Sequence, residues 1–387
     1  MIKFIYLGEK KECRLPNENF ECKGYFAEIT KEVLQRIDNE RQEDTIIVVP
    51  TNKMEAWGEL LSRFTYRFGR DYVDEMTALY RYGNTEKRLV VMYGNCQMHD
   101  YYDFFNMSPE FRNGFNSVYF KYLSYPRWKE DYLETLLSIC DVLIKTNEAF
   151  DERFRDCEKY ILKHNPKAKI IHLTTYSFRG YFPQTAAHIQ QKGEYDIIDE
   201  FFNTFHREDK FVNNLINAGW TRDEIIKKVL SGSCFDEKDI KSNLMVSLKQ
   251  IEVMDRNSDI KIYDYVKDNY RNIRLFKDPV HMEDDLVCYI GNKILEMIGI
   301  HANYKKPSKE IHYFTQLPIY PEVVECLGLK WFASDSEVRV RMQEGMIGLN
   351  PKEFYERYLQ FAQNAMEIKN SLIINENVDR VREYFWR

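Results

Sequence analysis

The sequence predicts an α/β fold: three layers around a mostly parallel sheet, with an N-terminal α/β appendage, a helical insertion and C-terminal helices. Three observations lead there. From Arg88 onward, short apolar runs alternate with amphipathic stretches, the pattern of strands joined by crossover helices. The run Leu89-Val90-Val91-Met92-Tyr93 is apolar without interruption, as suits a strand buried on both faces. Residues 1–85 show a smaller strand–helix–strand pattern of their own.

In that N-terminal unit, residues 2–7 read as a strand, 30–37 as a helix and 45–49 as a second apolar strand. Pro50-Thr51-Asn52 then turns the chain into an aromatic-rich helical stretch. No chemical motif stands out, so a scaffold or interface role is expected for it. In the core, about residues 86–305, strands are expected at 89–93, 117–122, 141–144, 169–173 and 272–276, with helices at about 97–105, 129–138 and 150–164. Residues 206–257 read as a helical insertion. There Thr221-Arg222-Asp223-Glu224 forms a capping box and Gly232 ends the helix. Residues 286–298 form a further helix, and 306–387 are mostly helical. Asn350 caps the long last helix, with Pro351 in its first turn. Its apolar face, Phe354, Tyr358, Phe361, Ala365 and Ile368, packs on the core or on a second copy of the chain. No internal repeat or low-complexity segment is evident.

A length of 387 residues implies two domains, or one large domain with additions. The 27 Tyr and 25 Phe point to thick aromatic packing or stacking surfaces. A net charge of −6, with both signs interspersed, argues against a nucleic-acid binder, which would show a basic face. No run approaches the roughly 18 apolar residues of a membrane span, and the first apolar run is too short for a signal-peptide core. The eight cysteines are scattered without a C-x-x-C pair, which fits reduced thiols in the cytoplasm and gives no spacing for zinc. No metal is expected.

Ligands of open α/β sheets bind outside the carboxyl ends of the strands, so the residues that follow each expected strand carry the chemistry. Gly94-Asn95-Cys96-Gln97 follows the first core strand, and Lys145-Thr146-Asn147-Glu148 follows the third. Thr174 to Tyr181, with Tyr176 and Arg179, follows the fourth, and Lys277-Asp278-Pro279-Val280-His281 the fifth. A strand, a glycine and then a helix place Cys96 at a helix N-terminus, where backbone N–H groups and the helix dipole favour a thiolate. The alternative is a small buried cysteine beside a tight turn. Asp278 three residues before His281 lets one loop supply a base and the carboxylate that fixes its tautomer. The alternative there is a helix cap at Asp284 or Asp285, with His281 incidental. His99 is a rival base close behind Cys96, and His172 reads as a satisfied core histidine.

Gly-Asn-Cys-Gln at residues 94–97 and Asp-Pro-Val-His at 278–281 resemble the WcbI family of capsular polysaccharide biosynthesis proteins, which are regarded as acetyltransferases that bind coenzyme A. Arg179-Gly180-Tyr181-Phe182-Pro183 is similar to the middle motif of that family. The layout also resembles the SGNH/GDSL hydrolases and acyltransferases, with Cys96 standing where their serine would be. The Gly-Asp-Ser block and a clear Gly-x-Asn-Asp block are absent. The resemblance covers about residues 88–300 and leaves both termini outside it.

It implies an acyl-CoA-dependent O-acetyltransferase acting on a sugar hydroxyl in surface polysaccharide biosynthesis, with acetyl-CoA as substrate. Cys96, His281 and Asp278 would be catalytic, meeting at one rim of the sheet. Either Cys96 takes the acyl group first, or His281 activates the acceptor for direct attack. The oxyanion would be met by backbone N–H groups of Cys96 and Gln97 and by Asn147, while Asn95 and Gln97 position or cap the turn. Lys145, Arg179 and Lys277 would meet coenzyme A phosphates, and Tyr176, Phe178 and Tyr181 would offer rings for stacking, although core packing accounts for at least half of such aromatics here. Three other readings remain: an esterase or thioesterase, a non-catalytic carbohydrate- or nucleotide-binding protein of the same pathway, and a glycosyltransferase, disfavoured by the lack of an Asp-x-Asp motif. A homo-oligomer is compatible with all of them.

Overall fold

The computed structural model describes residues 1–40, 45–121, 127–146, 157–185, 209–304, 315–332, 337–342, 345–360 and 362. They divide into two compact units. The first comprises Met1–Leu173 with Gly291–Asn303, and the second Thr174–Ile290 with Tyr304–Arg387.

Two four-stranded sheets build the first unit, and every strand pairing in them is parallel. The N-terminal sheet holds β1 (Ile2–Tyr6), β2 (Phe20–Tyr25), β3 (Thr45–Val49) and β4 (Tyr72–Asp74), in the order β2-β1-β3-β4. The core sheet holds β5 (Arg88–Gly94), β6 (Phe115–Lys121), β7 (Val142–Thr146) and β8 (Lys169–Leu173), in the order β6-β5-β7-β8. Both therefore run second, first, third, fourth, a repetition of topology that no sequence repeat announces. β2 and β4 are additions to the strands expected from the sequence. β2 alternates charged and apolar residues (Glu21, Cys22, Lys23) at the edge of its sheet, and β4 is only three residues long.

The helices of this unit are α1 (Lys31–Glu40), α2 (Met54–Arg63), α3 (Glu75–Tyr82), α4 (Cys96–Met107), α5 (Pro109–Gly114), α6 (Arg127–Ile139) and α7 (Cys157–His164). Strand β5 is central and paired on both sides. Leu89, Val90, Val91 and Met92 are fully buried, and each such side chain contributes about 1.5–3 kcal/mol on leaving water. One apolar core joins the two sheets, running from Phe4 and Ile47 through Tyr132 and Leu133 to Val91 and Leu143.

Among its described residues the second unit is mainly helical. Its described helices include Lys210–Asn217, Arg222–Leu230, Glu237–Asp255, Tyr263–Asn269 and Pro321–Leu327. The capping box at Thr221 and Glu224 is present, and Gly232, just beyond that helix, takes the left-handed conformation at φ +69°. Asn350 caps the helix at 351–360, accepting from the N–H of Glu353 at 3.0 Å; Phe354 and Tyr358 on it are buried, and the rest of the expected apolar face lies outside the described residues. A hairpin of Val338–Met342 and Gly345–Leu349 was not anticipated.

One expected strand is corrected. Residues 272–276 form no strand. Instead, Phe276 makes an isolated antiparallel bridge to Met282, flanked by Lys277 N–H to His281 O (2.8 Å) and Glu283 N–H to Leu275 O (2.9 Å). The guanidinium of Arg274 folds back to donate to the carbonyls of Phe276 (3.1 Å), Lys277 (3.0 Å) and Leu317 (2.8 Å). Groups that would extend a sheet are thus spent on holding a tight loop.

Candidate functional site

Cys96 is the first residue of α4, directly beyond the carboxyl end of β5. Asn95 caps the helix, its side-chain oxygen accepting from the N–H of Gln97 at 3.0 Å, and its carbonyl accepts from the Tyr119 hydroxyl at 2.8 Å. The bend needs Gly94: a Cβ there would lie 2.9 Å from the Met98 Cβ and 3.1 Å from the Thr146 Oγ1. This is close approach of strand, helix and neighbouring strand, which only hydrogen tolerates. Chain connections leave β5 toward β6 on one side and β7 toward β8 on the other. Cys96 therefore stands at the point where the strand order reverses, the favoured ligand position in an open α/β sheet. Its exposure is intermediate, whereas Cys140, Cys157 and Cys288 are buried.

Asn95 acts as the cap that was its alternative role, and the Gln97 N–H is already bonded to it, which removes that group from the expected oxyanion donors. The Gln97 side chain is buried. Asn147 lies outside the described residues. Lys145 pairs with Glu158 at 2.5 Å, and His172 contacts the same carboxylate at 2.9 Å. Burial would raise the pKa of Glu158, but the hydrogen bonds from Lys145 and His172 outweigh it and hold the carboxylate below its ordinary value. Lys145 is thus an internal ion-pair partner rather than a waiting phosphate ligand. His172 is satisfied as expected, though only half-buried. His99 lies 3.3 Å from Asp103, one helical turn on.

In the second unit, the Asp278–His281 loop closes on itself. The Asp278 Oδ2 lies 2.5 Å from the His281 Nδ1, while its Oδ1 accepts from the N–H groups of Val280 (2.7 Å) and His281 (3.0 Å). Asp278 is fully buried and His281 nearly so. Lys277 is buried too, its ammonium 3.6 Å from Asp284. Beneath the loop, Glu283 meets Arg274 at 3.2 Å and Arg339 at 2.8 Å and accepts from Gln316 at 2.5 Å. Arg274, Glu283, Gln316 and Arg339 escaped sequence reading, because a buried ion network has no local spacing signature.

The middle motif packs on the same loop. Phe178 donates its N–H to the Pro279 carbonyl at 2.8 Å and stacks on Phe276 with centroids 5.0 Å apart. Tyr176 and Tyr181 are fully buried. The Tyr176 hydroxyl shares its one hydrogen between Asp255 (3.0 Å) and the Ile260 carbonyl (2.7 Å), and the Tyr181 hydroxyl donates to the Tyr270 carbonyl (2.8 Å). Burial pushes both phenols well above their ordinary pKa, so they remain donors. Neither ring, nor that of the equally buried Phe178, has a face open for stacking on a base, which corrects the expectation for Tyr176 and Tyr181: their size and donor groups serve the core. Arg179 is exposed and remains available to an anion. Among the described residues no helix is long and apolar enough to cross a membrane, and no group of three or more His, Cys, Asp or Glu could hold a metal.

The polysaccharide biosynthesis enzyme WcbI family model matches residues 89–303. One solved structure is similar, with a TM-score of 0.56 at 14% identity, covering 72% of this chain and 91% of its own. It is described as WcbI, a novel polysaccharide biosynthesis enzyme, the native protein without a disulfide bond between coenzyme A and one of its cysteines. No curated protein matches the chain.

Proposed function

The chain belongs to the WcbI family of polysaccharide biosynthesis enzymes, and from that premise we propose that it is an acyl-CoA-dependent O-acetyltransferase acting on a sugar hydroxyl in the building of a surface, capsular polysaccharide. The observation that carries the reading is Cys96 at the first position of α4, beyond the central strand. A thiolate there is stabilised by the helix N-terminus, and a cysteine is named together with coenzyme A in the similar structure. Cys96 Sγ attacks the thioester carbonyl, the carbon–sulfur bond to coenzyme A breaks, and the acyl group rests on Cys96. His281, oriented by Asp278, takes the proton of the acceptor hydroxyl as its oxygen attacks the acyl-enzyme. The Cys96 thiolate leaves, and the proton passes to the coenzyme A thiolate. Arg179, exposed after β8, is the cation best disposed for a phosphate; Lys277, being buried, has the weaker claim.

Thermal shift with coenzyme A and acetyl-CoA, followed by transfer of radiolabelled acetyl to candidate sugars, tests this. Stabilisation and labelled sugar are expected from the wild type, and no turnover from Cys96→Ala or His281→Ala. Absence of any shift at saturating coenzyme A would remove the reading, and release of labelled acetate alone would make the protein a hydrolase.

A further inference from the structure

The first unit contains a cavity of about 510 Å3, in the size range of small-molecule sites. One wall comes from loops at the carboxyl ends of the N-terminal sheet: Arg14 lies on the segment after β1, and Thr51 lies two residues after the end of β3. Because the order β2-β1-β3-β4 reverses between β1 and β3, this is the ligand position of the N-terminal sheet, as Cys96 marks that of the core sheet. The opposite wall is β6 and α4, the helix that Cys96 opens. His99 lies three residues along that helix, and Tyr119 is the residue bonded to the Asn95 carbonyl.

The chemistry of the walls is uneven. His99, Tyr102 and Tyr119 form a ring cluster with centroids 5.1–6.1 Å apart, a surface suited to the C–H face of a sugar ring. Of the acidic lining residues, Glu12 is neutralised by Lys53 and Glu55 by Lys129. Glu75 is buried and accepts from the Arg14 N–H. Arg14 and Lys121 are exposed; Arg14 also acts on Glu75 through its charge, but among the described residues neither has a carboxylate within ion-pair distance. The cavity therefore offers two positive groups beside an aromatic surface, and much of its wall comes from residues that precede the family match at 89–303. Polysaccharides differ in their sugars rather than in the acyl donor, so a wall outside the shared region fits the acceptor.

We propose that this cavity is the acceptor subsite, and that its ligand is an anionic sugar whose ring rests on Tyr102 and Tyr119 while Arg14 and Lys121 meet its carboxylate or phosphate. The proposal rests on the acetyltransferase reading and gives residues 1–85 a substrate-binding task. Calorimetry on the full chain would compare a glucuronate-containing disaccharide, UDP-N-acetylglucosamine and neutral N-acetylglucosamine, with coenzyme A titrated separately. At least one anionic probe should bind about tenfold or more tightly than the neutral sugar, and the Arg14→Ala/Lys121→Ala variant should lose about tenfold for that probe while its coenzyme A affinity stays unchanged. Whichever anionic probe binds identifies a uronate or a sugar nucleotide as the source of the charge. Anionic probes that bind no better than the neutral sugar, or equally well to the double variant, would overturn the subsite. So would loss of coenzyme A affinity in that variant, which would make the cavity part of the donor site. Coenzyme A binding without sugar binding removes this proposal and spares the transferase; failure of coenzyme A to bind the wild type removes the transferase whatever the sugars do.

Discussion

Asp278 holds His281 twice, through the imidazole Nδ1 at 2.5 Å and through the backbone N–H at 3.0 Å. The first contact fixes a tautomer and the second fixes the loop, and two substitutions separate them. Asp278→Asn keeps an oxygen for the backbone but turns an amide N–H toward the imidazole, forcing the proton onto Nε2, where a base must be bare. Activity should fall by about 10²–10⁴-fold with little change in melting temperature. Asp278→Ala also leaves the N–H groups of Val280 and His281 without their acceptor and should cost a further ~1–3 kcal/mol of stability. Steady-state kinetics beside urea titration checks both, and equal activity in Asp278→Asn and wild type would exclude His281 as the base.

Thiol reactivity offers an independent check on Cys96. Burial pushes the Cys13 thiol up to about 11 and the Cys234 thiol up to about 12, raises Cys326, and carries Cys140 higher still. A cysteine on the first residue of a helix gains thiolate character instead. Iodoacetamide at neutral pH should therefore modify Cys96 first, as read by mass spectrometry of a time course, with the partly exposed Cys22 as the comparison. Saturating acetyl-CoA should slow that labelling.

The legible parts of the chain were those written in local periodicity. Leu89 to Tyr93 announced a doubly buried strand, and Thr221 with Glu224 announced a helix start, because each rests on residues adjacent in sequence. The pairing of Asp278 with His281 was legible for the same reason. Residues 272–276 misled because apolar residues beside an arginine fit an edge strand as well as a clamped loop; only Leu317, distant in sequence, decides between them. The aromatic motif misled in its chemistry: Tyr176 and Tyr181 were read as available rings, but their partners Asp255 and Tyr270 lie some eighty to ninety residues away. The cavity beside α4 was invisible, since Arg14, His99 and Lys121 come from three distant segments with no motif among them.

Gly94 is where the fold and the proposed chemistry meet, and it can be tested through stability. In Gly94→Ala the new methyl meets the Met98 Cβ at 2.9 Å, a helix atom that moves only with its backbone. Overpacking of this kind costs about 1–3 kcal/mol, and relief by shifting α4 would carry Cys96 with it. Urea midpoints should fall and Cys96 labelling should slow together. A stable Gly94→Ala with unchanged labelling would show that the turn is looser than its packing implies.

Asp209 sets a pH dependence unrelated to either motif. Buried between the hydroxyls of Tyr320 (2.9 Å) and Tyr355 (3.1 Å), it also accepts the N–H of Val212 at 2.9 Å. Burial pushes its carboxyl up to about 6 despite those hydrogen bonds, against about 3.9 in an unfolded chain. The native state therefore binds this proton more tightly than the unfolded state does. The resulting stability is fully present below about pH 3.9 and is lost as pH rises through about 6, a difference of about 3 kcal/mol. Asp209→Asn keeps the cap and cannot ionise, so its stability relative to wild type should climb by about 2 kcal/mol between pH 4 and pH 7, most of that difference. Urea unfolding of both proteins across that range reads the difference directly. Parallel curves would mean that the three hydrogen bonds, rather than burial, govern Asp209, and that the carboxylate is charged throughout.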